Sequence, residues 1–142
     1  MRQQEPSGFY HSYLENNYCQ YWIDENDILH EVFKFDFERI TLDIAKTITK
    51  DRLQVSNKVT RPLYVELGRV IRMDRDADKY LSTGIAMDYL SATGILAVNE
   101  IHRLGVRIYS KINTPSIPTK VFTKKEKAIL WLSAQQRNWY QN

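Results

Sequence analysis

Apolar and polar residues alternate along this chain in short blocks, and the period changes from one block to the next. "CQYWI" (Cys19–Ile23), the acidic turn "DEND" (Asp24–Asp27) and "ILHEVFKF" (Ile28–Phe35) predict two strands joined by a tight turn. In the second block Ile28, His30, Val32 and Lys34 alternate with Leu29, Glu31, Phe33 and Phe35, a mixed pattern with no single apolar face. Thr41 suits the cap of a helix that carries Leu42, Ala45, Ile48 and Leu53 near helical spacing and runs to about Asn57. "RPLYVEL" (Arg61–Leu67) reads as a strand, with Pro62 tolerated at its start and Gly68 ending it.

Beyond Gly68 an apolar run meets three acids spaced two apart, Asp74, Asp76 and Asp78. "DRDADKYL" predicts a helix with Asp74 as N-cap and acids in the first turn, where the helix dipole favours them. "ATGILAV" (Ala92–Val98) is an apolar run of strand length, of the kind buried on both faces in a parallel sheet. Asn99 then caps an amphipathic helix with Ile101, Leu104, Ile108 and Ile112 facing in and Arg103, Arg107 and Lys111 on a neighbouring stripe. Lys120–Phe122 is a short strand. Thr123–Glu126 reads as a capping box opening a last helix whose apolar face is Ala128, Ile129, Leu132 and Trp131. The order ββαβαβαβα predicts an α/β domain with a mostly parallel central sheet, helices packed against it and one antiparallel hairpin. Residues 1–17 lack periodicity and read as a loose aromatic arm, residues 18–137 as the single domain, and residues 138–142 as a polar tail.

Composition narrows the classes. A chain of 142 residues, 43% of them hydrophobic, supports one core without metal or disulfide staples. The single cysteine, Cys19, excludes an internal disulfide and sits in an apolar stretch, as a small buried hydrophobe does. No run approaches a membrane span and the N-terminus has no uninterrupted apolar core of a signal peptide, so a cytoplasmic location is expected. Charge is uneven: residues 1–50 hold five Lys/Arg against nine Asp/Glu, and the remainder fifteen against eight. Between residues 103 and 127 seven basic residues face one acid. That run suits a solvated face or an anionic partner; without a nucleic-acid-binding motif beside it, nucleic acid is not expected.

The acid cluster allows several chemistries, and most fail on spacing. A calcium loop started at Asp74 needs glycine at its sixth position and glutamate at its twelfth, where this chain has Lys79 and Ile85. The Asp-x-Asp nucleophile loop of haloacid-dehalogenase-type phosphatases needs further acids for Mg²⁺ and a downstream lysine. Here Asp88, Glu100 and Glu126 stand isolated. His11, His30 and His102 are too scattered to suggest zinc. No nucleophile elbow and no glycine-rich phosphate loop is present. The sequence therefore points to no catalytic residue, no metal and no cofactor. Two readings of the cluster remain: a solvated helix start whose Arg75 and Lys79 pair locally with acids, and a docking surface.

"PLYVELGRVIRMDRDADKYL" and "PTKVFTKKEKAILWL", together with the element order over about residues 19–135, resemble the STAS or SpoIIAA-like group, which includes bacterial anti-sigma-factor antagonists. The resemblance implies a SpoIIAA-like fold and a non-enzymatic regulatory domain that docks onto another protein, such as a regulatory kinase or a sigma-pathway component. In the antagonists an acid-led loop carries a phosphorylatable serine. Here Asp74 matches the leading acid, Arg75 and Asp76 occupy the hydroxyl positions, and Ala77 replaces the glycine. Asp74, Arg75, Asp76, Lys79 and Tyr80 form the expected docking face, with Arg103, Arg107 and Lys111 as a basic surface. The aromatic arm suggests a homodimer. The alternative function is a carrier for an apolar, lipid-like or anionic molecule, with Trp22, Phe33, Phe35, Phe37 and Tyr89 as pocket lining.

Overall fold

The computed structural model describes residues 10–36, 38–98 and 116–141. In chain order the strands are β1 (Tyr10–Glu15), β2 (Cys19–Asp24), β3 (Leu29–Phe33), β4 (Arg39–Ile40), β5 (Arg61–Glu66), β6 (Arg72–Met73), β7 (Leu90–Leu96) and β8 (Thr119–Phe122). The described helices are α1 (Leu42–Ser56), α2 (Arg75–Ser82) and α3 (Lys125–Gln141), with a 3-10 turn over Gly84–Met87. Six strands make one sheet in the order β1-β2-β3-β5-β7-β8, and β4 pairs with β6 in a small separate ladder. β1–β2 and β2–β3 are antiparallel, whereas β3–β5, β5–β7 and β7–β8 are parallel. The expected hairpin and parallel sheet are both present.

Local chemistry explains the element ends. The β2–β3 turn is held by Asp24, whose Oδ1 accepts from the amides of Asn26 at 2.8 Å and Ile28 at 3.0 Å. Thr41 caps α1 through a bond from the Ile44 amide to its Oγ1, and α1 stops at Asn57, which adopts a left-handed conformation with φ 51°. Gly68 has φ +60°, and a Cβ built there would lie 2.7 Å from the Phe33 carbonyl oxygen. Glycine is required on both counts.

The sheet is covered on two sides. On one, Tyr21, Ile23, Leu29, Phe33, Leu63 and Val65 meet Ala45, Ile48 and Val55 of α1 and Ala77 of α2. On the other, Ile28, Tyr64, Ala92 and Leu96 meet Ala128 and Leu132 of α3, with Phe122, Ile129 and Trp131 at the margin. Each large side chain so buried contributes about 1.5–3 kcal/mol. β3 is buried at all five positions because it runs through the middle of this sandwich. Its sequence therefore lacks a clean two-residue period.

Three expectations are corrected. Residues 10–15, read as part of an unpatterned arm, form β1 on the edge of the sheet, where Leu14 pairs with Tyr21 and packs on the core. The described order adds β1, β4 and β6 to the anticipated elements. α3 begins at Lys125, and the Ala128 amide donates to the Lys124 carbonyl, so the cap position falls at Lys124 and not at Thr123. The anticipated helix after Asn99 lies outside the described residues, as do Arg103, Arg107 and Lys111.

Candidate functional site

The parallel strands β3 and β5 end at a common rim, and the residues following them build it. Gly68 turns the chain after β5, Val70 donates its amide to the Leu67 carbonyl, and Ile71 donates to the Glu38 carbonyl. That last bond joins the segment after β5 to the segment after β3. The two-residue ladder follows, pairing Arg39 with Arg72 and Ile40 with Met73. The Asp74 amide then donates to the Ile40 carbonyl at 2.9 Å, placing the start of α2 beside β4.

Asp74 occupies the N-cap position but does not cap with its side chain. Its carboxylate is gripped by Arg39, Nε to Oδ1 at 2.8 Å and the terminal nitrogen to Oδ2 at 2.9 Å. This two-point geometry suits a guanidinium and not an ammonium. The hydrogen bond from Arg39 holds the Asp74 carboxyl below its ordinary value, and the same bond raises the Arg39 guanidinium. Asp76 turns back onto its own helix, accepting from the Ala77 amide at 2.8 Å. Arg75, Asp76 and Lys79 are exposed, while Tyr80 is half-buried against the core. The expected local pairing of Arg75 and Lys79 is not formed among the described residues. Around the rim, Phe35 is 37% exposed, Ile71 49% and Val98 63%. Arg69 pairs with Glu38 at 3.2 Å on its outer side.

The hydroxyls nearest α2 lie at its far end. Ser82 Oγ donates to the Asp78 carbonyl and Thr83 Oγ1 to the Lys79 carbonyl, both inside the helix geometry. The structure thus assembles Asp74, Arg75, Asp76, Lys79 and Tyr80 along one short helix and its cap, and adds Arg39, which grips Asp74. No local pattern points to Arg39, since it comes from the segment after another strand.

A second polar group is buried beneath α1. Glu31 on β3 and Tyr21 on β2 face the α1 side of the sheet, and Tyr21 Oη lies 2.9 Å from Glu31 Oε1 and 3.1 Å from the Ile48 carbonyl. Burial pushes the Glu31 carboxyl up, against the opposing pull of the Arg52 charge and of the Tyr21 hydrogen bond. Burial likewise pushes Tyr21 and Cys19 well up, with the Glu31 charge adding to both. Arg52 is itself buried and donates to the Ala86 carbonyl at 2.8 Å and the Asp88 carbonyl at 3.2 Å. It fixes the turn that ends in Tyr89, a tyrosine at φ 60°. This network escaped the sequence reading. Its signal was a carboxylate sharing one side of a predicted strand with Leu29 and Phe33, which demands a partner.

On the opposite face His30 Nε2 lies 2.7 Å from Asp24 Oδ2, stacks on Trp22 with ring centroids 4.8 Å apart and meets Tyr64 edge-on. His30 is thus one wall of a packed aromatic cluster. Trp22 therefore points away from Phe33, which belongs to the α1 side, and these two cannot line one pocket. Phe37 lies outside the described residues. Among the described residues no three His, Cys, Asp or Glu side chains gather as metal ligands, and no helix is long and apolar enough to cross a membrane.

A six-stranded mixed sheet with α1 and α2 on one face and α3 on the other, and an acid-led helix start at its rim, defines an α/β domain of the SpoIIAA-like class. The fold is matched by an uncharacterised protein from the DUF3478 family with a SpoIIAA-like fold, from Shewanella loihica PV-4, at TM-score 0.50 and 13% identity, over 91% of this chain and 99% of that one. Residues 21–136 match the family described as Domain of unknown function (DUF7793), and the chain belongs to that family. No curated protein matches its sequence.

Proposed function

We propose that this domain is a non-catalytic regulatory module of the bacterial cytoplasm that docks onto another protein through the face formed by Asp74–Tyr80. One observation carries the reading: the Arg39 grip on Asp74 fixes the start of α2 while Arg75, Asp76 and Lys79 stay exposed. Exposed charge on an anchored helix start, at a rim that also leaves Phe35 and Ile71 exposed, suits a docking surface. The resemblance to anti-sigma-factor antagonists supports a kinase-like or sigma-pathway partner. Arg75 and Asp76 stand at the switch positions, so the contact is governed by fixed charge, a single negative one at Asp76 where a phosphate would supply nearly two.

The test pairs Asp76→Lys with Lys79→Glu. Both residues are exposed, so the melting temperature should stay within a few degrees of wild type. A partner captured by wild type, identified and purified, should lose at least roughly tenfold in affinity for the double variant. Equal affinity would remove this face from the function. An apolar molecule co-purifying in native mass spectrometry would favour the carrier reading.

A further inference from the structure

Beneath α1 the fold buries a carboxyl and a guanidinium without joining them. Glu31 stands in the middle of β3, 7% exposed, with Tyr21 and Val65 as its cross-strand partners. Arg52 on α1 is 3% exposed. Buried groups of opposite charge ordinarily pair. Arg52 instead directs its terminal nitrogens to the Ala86 carbonyl at 2.8 Å and the Asp88 carbonyl at 3.2 Å, and among the described residues it makes no ion pair with Glu31. Tyr21 satisfies the carboxyl. Its Oη lies within hydrogen-bond distance of two acceptors, Glu31 Oε1 at 2.9 Å and the Ile48 carbonyl at 3.1 Å, yet a phenol carries one hydrogen. Both contacts are used at once when Glu31 is a carboxylic acid, its O–H donating to Tyr21 Oη and Tyr21 donating to Ile48. Burial favours the same form.

The guanidinium, meanwhile, holds a strained turn. Tyr89 adopts φ 60°, a conformation that bulky side chains avoid. The two bonds from Arg52 fix the backbone before it, and the Arg61 amide donates to the Tyr89 carbonyl at 3.1 Å. Strain of this kind persists only while its surroundings enforce it. The turn presents Ile85 and Tyr89 to solvent, 53% and 37% exposed.

We propose that Arg52 is a proton-controlled latch on the Gly84–Tyr89 turn: it grips the turn while Glu31 carries a proton, and when Glu31 gives that proton to water the guanidinium moves to the new carboxylate and Tyr89 relaxes from its left-handed conformation. The charge of Arg52 already acts on Glu31 through the buried space between them. The other charged and titratable groups facing this site are Cys19 and Tyr21 on β2, Asp51 on α1, Lys34 after β3 and Asp88 on the turn. β5 presents Val65 and α2 Ala77 to the same core, and the buried acid of α2 is Asp78. Cys19 and Tyr21 stay neutral, because burial raises both. A carboxyl raised in the fold adds stability that is full below its unfolded value and is lost as pH rises through the folded one. The latch therefore opens on the alkaline side and weakens the fold as it does so. It is independent of the α2 face.

The test is carbon-detected NMR of the full chain across the range from about pH 4 to about pH 9, in an Asp88→Asn background so that no acid on the turn itself titrates. The Glu31 carboxyl carbon should titrate well above about 4.3, the ordinary glutamate value. The carbonyl carbons of residues 86 and 88 and the Tyr89 amide should shift with the same midpoint. Glu31→Gln, which cannot ionise but can still donate to Tyr21, should keep the low-pH positions of all three signals at every pH. Arg52→Lys keeps the charge but loses the fork that spans two carbonyls, so Glu31 should still titrate while the coupled shifts of the turn disappear. Titration of Glu31 at its ordinary value would overturn the proposal, as would retention of its proton to the end of the range. So would a Glu31 midpoint that the turn does not share, or turn shifts that survive in Glu31→Gln. The shared midpoint is read without either variant, so a variant that fails to fold leaves the decision standing.

Discussion

Gly68 and Gly84 share a backbone conformation, φ +60° and +61°, yet differ in what surrounds them. A Cβ at Gly68 would press on the Phe33 carbonyl at 2.7 Å, whereas one at Gly84 would meet nothing within 4 Å. Alanine at either position carries a left-handed penalty of about 1–2 kcal/mol. Stiffening of the unfolded chain offsets about 0.4–1 kcal/mol of it. Gly84→Ala should then cost about 1 kcal/mol. Gly68→Ala adds the displacement of a core strand's backbone, about 1–3 kcal/mol, for a total of about 2–4 kcal/mol. In a chain of this size each kcal/mol moves the melting temperature by about 3–4 °C. Urea titration followed by tryptophan fluorescence reads both variants. Asparagine separates the two causes, because it tolerates the left-handed region. Gly84→Asn should recover most of the loss and Gly68→Asn none. If the two alanine variants lose the same stability, or Gly68→Asn recovers, the close approach of the rim to β3 is wrong, and with it the placement of the α2 face.

Two further outcomes follow from the buried groups. Arg52→Met should cost roughly 3–5 kcal/mol, since it strips the Glu31 carboxylate of its opposing charge and two carbonyls of their donor; in urea titrations the double change with Glu31→Leu should recover part of that loss, and strict additivity would show the two sites uncoupled. Burial alone would raise the Asp24 carboxyl, but hydrogen bonds from His30, Ile28 and Asn26 and the His30 charge outweigh it and lower it. A lowered carboxylate stabilises the fold above its unfolded value and loses that contribution as pH falls through the folded one. Asp24→Asn should therefore flatten the acid limb of a stability-against-pH curve below about pH 4, and an unaltered limb would contradict the arrangement at the β2–β3 turn.

Much of this architecture was legible residue by residue. Thr41 and Asn57 marked both ends of α1, Gly68 marked the end of β5, and the apolar run Ala92–Val98 announced a buried strand, which the structure places at Leu90–Leu96. What escaped has physical reasons. β4 and β6 have two residues each and no period to detect. β1 reads Tyr-His-Ser-Tyr-Leu-Glu, a polar string held by its ladder to β2 and not by an apolar face. Asp74 was placed at the cap by its position before α2, but its carboxylate went to Arg39, thirty-five residues earlier, which no local pattern reveals. The composition of the α2 face was readable; its partner Arg39 depends on tertiary structure alone.

The start of α2 is pinned by the Arg39 side chain and by the Ile40 carbonyl, both contributed by the segment after β3. The face presented by that helix therefore exists only once β3 and β5 lie in register, so a partly folded chain cannot display it.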